Sequence, residues 1–122
     1  MPTEEADFRH GRRWALALAA LGIVLLFAVG WTPLAVGLFV TPWDKVAHVV
    51  SFGLLAGLLS QGLGRHRLAW AFLLAALVGG ADELHQLQLP GRSADWLDFA
   101  SDACGAAAGC TLSAMVPVWR LR

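Results

Sequence analysis

Charge is scarce in this chain. Of its 122 residues only 15% are Asp, Glu, Lys or Arg, and nine acids offset nine bases to a net charge of zero. With 57% hydrophobic residues, the chain is too apolar for a soluble domain of this size. No basic surplus exists to form the patch that nucleic acid requires, so that class of partner is excluded. Cysteine is scarce as well. Cys104 and Cys110 fall on one expected helix, roughly 9 Å apart along its axis and on different faces, too far for a disulfide. No Cys/His spacing resembles a zinc motif, and both cysteines read as small packing residues. Internal repeats are lacking too, and the chain reads as one domain.

What is present is a series of apolar runs separated by charge. Trp14 to Gly30 follows Arg9, Arg12 and Arg13; a second run spans Val46 to Leu63; a third, Leu68 to Ala81, follows Arg65-His66-Arg67; a fourth spans Phe99 to Trp119. About 20 helical residues cross a bilayer core of roughly 30 Å. The third run reaches that length by continuing helically through Asp82 to Leu87. The pattern predicts an all-α integral membrane four-helix bundle, with helices at about 14–31, 45–63, 68–88 and 97–119 of a single domain over residues 12–122. Residues 1–11 are polar and are expected to form a disordered cytoplasmic tail.

Basic residues set the orientation. Seven of the nine Lys and Arg lie at the N-terminus, the 64–67 loop or the C-terminus, all on one side of an even-numbered bundle. The positive-inside rule then puts the N- and C-termini in the cytoplasm. Lys45, Arg92 and six carboxylates (Asp44, Asp82, Glu83, Asp95, Asp98, Asp102) belong to the outer half. Tryptophan agrees: Trp14, Trp70 and Trp119 fall at inner helix ends, and Trp31, Trp43 and Trp96 at outer ends, as interfacial belts. A cleaved signal peptide would also begin with Arg12-Arg13 and an apolar run, but this run is long for one and Trp31-Thr32-Pro33 is not a small-residue cleavage site.

Turn residues mark the connections. Pro33, Gly37 and Thr41-Pro42 lie between helices one and two, Gly62 and Gly64 form an inner turn, and Pro90-Gly91 an outer one. Ser93 or Asp95 is placed to cap the fourth helix.

The remaining polar residues are organised by helical spacing. Asp44, His48 and Ser51 share a face of helix two; Asp82 and Gln86 are stacked on helix three, flanked by Glu83 and His85; Asp98, Asp102, Gly105 and Gly109 form a stripe on helix four. His48, Glu83 and Asp102 all fall about one turn, roughly 5–7 Å, beneath the outer boundary. A single depth is what a site between helices would produce. Several members also have plain structural explanations. Asp98 suits a first-turn acid, Lys45 suits snorkelling, Arg92 suits a loop pair with Asp95, His48 suits packing, and Gly105/Gly109 suit close helix packing. Glu83, Gln86 and Asp102 are harder to explain that way, since a carboxylate in a membrane helix costs several kcal/mol.

Asp44-Lys45-x-x-His48, then Asp82-Glu83-Leu84-His85-Gln86, Leu89-Pro90-Gly91-Arg92, Asp98 and the Gly105/Gly109 pair together resemble the VanZ-like family of small multi-pass membrane proteins. The resemblance covers about residues 44–109, with one departure: Asp102 stands where the family usually has Asn. It implies a protein of the bacterial cell envelope, associated by family name with glycopeptide (teicoplanin) resistance, and implies no reaction or cofactor.

Two classes of function follow. In one, the polar layer binds an anionic lipid head group, a glycopeptide or a partner membrane protein through Asp44, Lys45, Asp82, His85, Gln86, Arg92, Asp98 and Asp102. In the other, the chain is a membrane-embedded hydrolase or phosphatase of a lipid-linked substrate, with His48 and Glu83 as base and acid. No nucleophile stands out among Ser51, Ser93 and Ser101. Glu83, Asp98 and Asp102 suit a divalent ion by ligand type, but their spacing matches no motif and no metal site is assigned. A proton conduit is weakened by the lack of ionisable residues in the inner half of the helices. So small an interior favours association with itself or with another membrane protein.

Overall fold

The computed structural model describes residues 3–32, 37 and 39–115, and all regular structure among them is helical. Among the described residues four helices follow one another: α1 (Glu4–Gly30), α2 (Trp43–Leu63), α3 (Leu68–Gln86) and α4 (Trp96–Met115), with a 3-10 turn at Arg65–Arg67 before α3. The four expected helices are therefore present; their described ends shift by one or two residues, except that α1 begins at Glu4. Pro33, the end of the fourth expected helix at Trp119, and the terminal Arg120 and Arg122 lie outside the described residues.

One expectation is corrected at the N-terminus. Residues 4–11 are not a disordered tail but the first turns of α1, which runs unbroken from Glu4. Glu4, Glu5 and Asp7 occupy its first turn, where carboxylates favour the positive end of the helix dipole. Arg12 explains why the helix persists past the apolar run. Its Nε and Nη2 donate to the carbonyls of Gly62 at 2.9 Å and Leu63 at 2.8 Å, the unpaired C-terminal carbonyls of α2.

Among the described residues, three segments are long and apolar enough to cross a membrane: α1, α2 and Arg65–Gln86. α4 is not among them, because Asp98, Asp102 and a run of Gly, Ala and Ser lower its hydropathy. It compensates by position: its Asp98, Asp102, Gly105, Ala106, Gly109 and Cys110 are buried against the other helices. The outward surface is the reverse of a soluble protein's. Leu18, Leu21, Val24, Leu25, Leu54 and Leu77 are exposed, which is stable only against lipid tails. Trp14 and Trp70, and at the other end Trp31, Trp43 and Trp96, are exposed as well, as interfacial indoles are.

The interior is made of small residues rather than large ones. Ala56, Ala71, Ala75 and Ala106 are fully buried, and Phe52 is the large apolar side chain among them. Small residues let backbones approach closely, which is how helices associate in lipid. The closest approach is between α2 and α4. A Cβ on Gly105 would collide with the Val49 carbonyl, and one on Gly109 with the Gly53 carbonyl. This backbone contact sets α4 close enough to α2 for their polar side chains to meet.

Candidate functional site

At the end of the bundle formed by the start of α2, the end of α3 and the start of α4, the polar residues of these helices converge. His48 Nδ1 lies 2.6 Å from Asp102 Oδ1, and His48 Nε2 lies 3.7 Å from Asp98 Oδ2. One ligand atom each of His48, Asp82 and Glu83 lie within 4.8 Å of one another. Asp82 Oδ2 accepts a 3.0 Å bond from Gln86 Nε2, the stacked pair expected one helical turn apart. Asp102 is 0% exposed, Asp82 4% and Glu83 8%, so the layer is drawn into the protein and is not a solvated rim. Of the three residues expected at one depth, His48 meets Asp102 directly and has a ligand atom within 4.8 Å of one on Glu83.

Lys45 has a different place from the one its sequence position suggests. Its Nζ donates to Asp44 at 2.9 Å, to Asp95 at 2.8 Å and to Asp98. An ammonium has three donors, so all are engaged within the protein. Lys45 does not snorkel free; it binds the loop before α4 to the start of α2.

Asp95 is the residue that sequence reasoning did not place in the layer. Its Oδ1 accepts from Leu97 N–H at 2.9 Å, capping α4, and its Oδ2 takes Lys45. Its own backbone N–H donates to Glu83 Oε2 at 2.9 Å, so one residue joins α3, α2 and α4. The nearby ammonium holds its carboxyl below the usual carboxylate range. Its spacing of three from Asp98, on one helical face, was the available signal.

His85 sits aside from the other expected residues. Its ring stacks on Trp31 at 5.3 Å and meets the edge of Phe27 at 5.5 Å, so it packs α3 against α1 and does not join the carboxylates. Asp44, His48, Ser51, Asp82, Gln86, Arg92 and Asp98 all line one cavity of about 730 Å³. Away from this polar end, the cavity wall is apolar: Leu18, Gly22, Leu25 and Val29 from α1 and Phe52, Leu54, Leu55 and Leu58 from α2. From Val29 back to Leu18 is eleven residues, roughly 16 Å, close to half of a bilayer core. Leu18, Leu25 and Leu54 are exposed at the lip, so the groove between α1 and α2 opens sideways toward lipid.

At the opposite end α2 and α4 are joined by neutral groups. Gln61 Nε2 donates to Ser113 Oγ at 2.6 Å, and Ser60 Oγ to Cys110 Sγ at 3.4 Å. Both cysteines are free thiols; Cys110 is buried in the packing role expected of it, whereas Cys104 is exposed.

A family model described as VanZ/LLP1 matches residues 8–117, nearly the whole chain. No curated protein and no solved structure matches it.

Proposed function

The chain belongs to the VanZ/LLP1 family, and from that premise we propose that this membrane protein binds an amphiphile with an anionic head group. The head group occupies the polar layer and the chain lies in the α1–α2 groove. The observation that carries the reading is that one cavity has both surfaces. Arg92, Ser93, His48 and Gln86 line its polar end and leucines line the rest. Arg92 is the anchor, since guanidinium pairs with phosphate in bidentate fashion. Apolar walls of this length favour a chain-bearing ligand over a glycopeptide or a partner's loop.

The positive-inside distribution supports cytoplasmic termini in a bacterial inner membrane, with the polar layer in the outer half. The lipid would then enter sideways from the outer leaflet.

Mass spectrometry of lipids retained on the purified protein tests the reading. Wild type is expected to keep about one anionic lipid per chain. Arg92→Ala and Gly22→Phe are expected to lose it, while Leu74→Ala, away from the groove, keeps it. Retention of the same lipid by both groove variants contradicts the reading.

A second reading, an enzyme acting on that lipid, has one observation in its favour. His48 lines the cavity and its Nδ1 is held by Asp102, a carboxylate–imidazole pairing that suits a general base acting through Nε2. Turnover of a lipid phosphate that falls about 100-fold in His48→Ala and Glu83→Gln, with lipid still retained, is its signature.

A further inference from the structure

The polar layer is richer in carboxylates than in permanent cations. Six carboxylates (Asp44, Asp82, Glu83, Asp95, Asp98, Asp102) face two permanent cations, Lys45 and Arg92. Lys45 is spent on Asp44, Asp95 and Asp98. Of the deeper acids, Asp82 accepts a hydrogen bond from Gln86 and Glu83 one from the Asp95 N–H, both neutral donors. Burying carboxylates together is costly unless a cation accompanies them.

We infer that His48, Asp82 and Glu83 bind one divalent transition-metal ion at the inner wall of the cavity. Four observations support the assignment. The three residues come from α2 and α3, and each offers a ligand atom within 4.8 Å of the other two. Glu83 is 8% exposed, and although Oε2 is bonded, its Oε1 is buried with no hydrogen-bond partner. Asp102 holds His48 Nδ1 at 2.6 Å, the carboxylate–imidazole pairing that orients a metal-bound histidine and leaves Nε2 for the ion. His48 and Asp82 both line the cavity, which gives the ion an entry path and leaves coordination positions facing the ligand.

The donor set selects the ion. One imidazole nitrogen with two carboxylates suits Mn²⁺ or Zn²⁺ better than Mg²⁺ or Ca²⁺, which prefer oxygen throughout. The ion also resolves how a phosphate enters a layer rich in carboxylates: the metal supplies the positive charge, and Arg92 the directional bonds. That role rests on the head-group reading of the cavity, whereas binding of the ion does not.

Isothermal titration of the purified, lipid-stripped protein in neutral detergent with Zn²⁺ or Mn²⁺ alone tests the site. One ion per chain is expected, with Mg²⁺ binding at least tenfold more weakly. His48→Ala, Asp82→Asn and Glu83→Gln should each weaken Mn²⁺ at least tenfold, and Cys104→Ser, an exposed thiol outside the layer, should not. Affinity unchanged in all three site variants, or the absence of stoichiometric binding, overturns the site. Because a site variant can fail to fold, pulsed electron paramagnetic resonance of Mn²⁺ on the wild-type chain supplies a second reading. Coupling to one imidazole ¹⁴N is expected, and bound Mn²⁺ without it overturns the assignment. A positive metal result with no retained lipid leaves the ion site standing and removes the head-group reading; the converse removes only the ion.

Discussion

His48 Nδ1 and Asp102 Oδ1 stand 2.6 Å apart, joining the second helix to the fourth at a position where Asp102 has no solvent exposure. The approach depends on backbone contact one turn farther along α4. Gly105 lies against the Val49 carbonyl, and a side chain there would push the helices apart. Packing between glycines and the polar contact between side chains are thus parts of one arrangement.

The bond between His48 and Asp102 is expected to be graded by what replaces the acid. Asp102→Asn keeps an acceptor and should retain the fold, with cation affinity lowered about 10- to 100-fold through its hold on the imidazole. Asp102→Leu removes the acceptor from a buried ring N–H and should cost about 1–3 kcal/mol of stability. Thermal unfolding in detergent checks the second outcome, and metal titration the first.

Glycine substitutions should separate close packing from mere helix propensity. Gly105→Ala and Gly109→Ala place a Cβ into the carbonyls of Val49 and Gly53, and each should lower stability by about 1–3 kcal/mol. Gly22→Ala meets nothing within 4 Å and should be neutral or slightly stabilising. Thermal unfolding of the three variants side by side is the check; equal effects would show that the α2–α4 approach does not limit stability.

Arg12 tethers α1 to the end of α2 through two carbonyls, so the groove between those helices depends on it. Arg12→Ala should destabilise by about 1–3 kcal/mol, because charged donors to buried carbonyls are among the stronger hydrogen bonds. Spin-label distances between α1 and α2 should broaden in this variant and stay narrow in Arg9→Ala, whose bond is to its own helix.

Asp95 supplies a pH dependence whose sign is fixed. Lys45 holds its carboxyl below the usual range, so the folded state favours the ionised form. The stabilisation is complete above the unfolded value of about 4 and is lost as pH falls through the lower folded value. Asp95→Asn should therefore melt lower than wild type at pH 7, and the gap should close in acid. A gap that stays the same however far the pH is lowered would mean that the charge is not what matters.

Much of this arrangement was legible in the sequence, and the parts that were not share a cause. Helical spacing brought Asp44, His48 and Ser51 to one face and stacked Asp82 on Gln86, because those relations lie within single helices. The depth argument brought His48 to Asp102, since both helices meet the same boundary. Residues whose partners lie across helices were less readable. His85 shares the helix turn of the site acids, but Trp31 and Phe27 draw it toward α1. Lys45 looked available for a ligand until three acids were found around it. Arg12 looked like one of several orienting charges, and its role as a tether depends on where α2 ends. The groove was not readable because α1 announced only that it was apolar, with no hint of which face Gly22 opens.

The claim on which the account turns is that the polar layer holds the phosphate of a lipid whose chain lies along α1 and α2. Solid-state nuclear magnetic resonance can measure it directly, through dipolar coupling between ³¹P of a bound anionic lipid and ¹⁵N of the arginine side chains. Bidentate pairing predicts a ³¹P–¹⁵N separation of about 4 Å at Arg92, abolished in Arg92→Lys. A tightly bound lipid whose phosphorus couples to Arg65 or Arg67 at the opposite end, and not to Arg92, would contradict it.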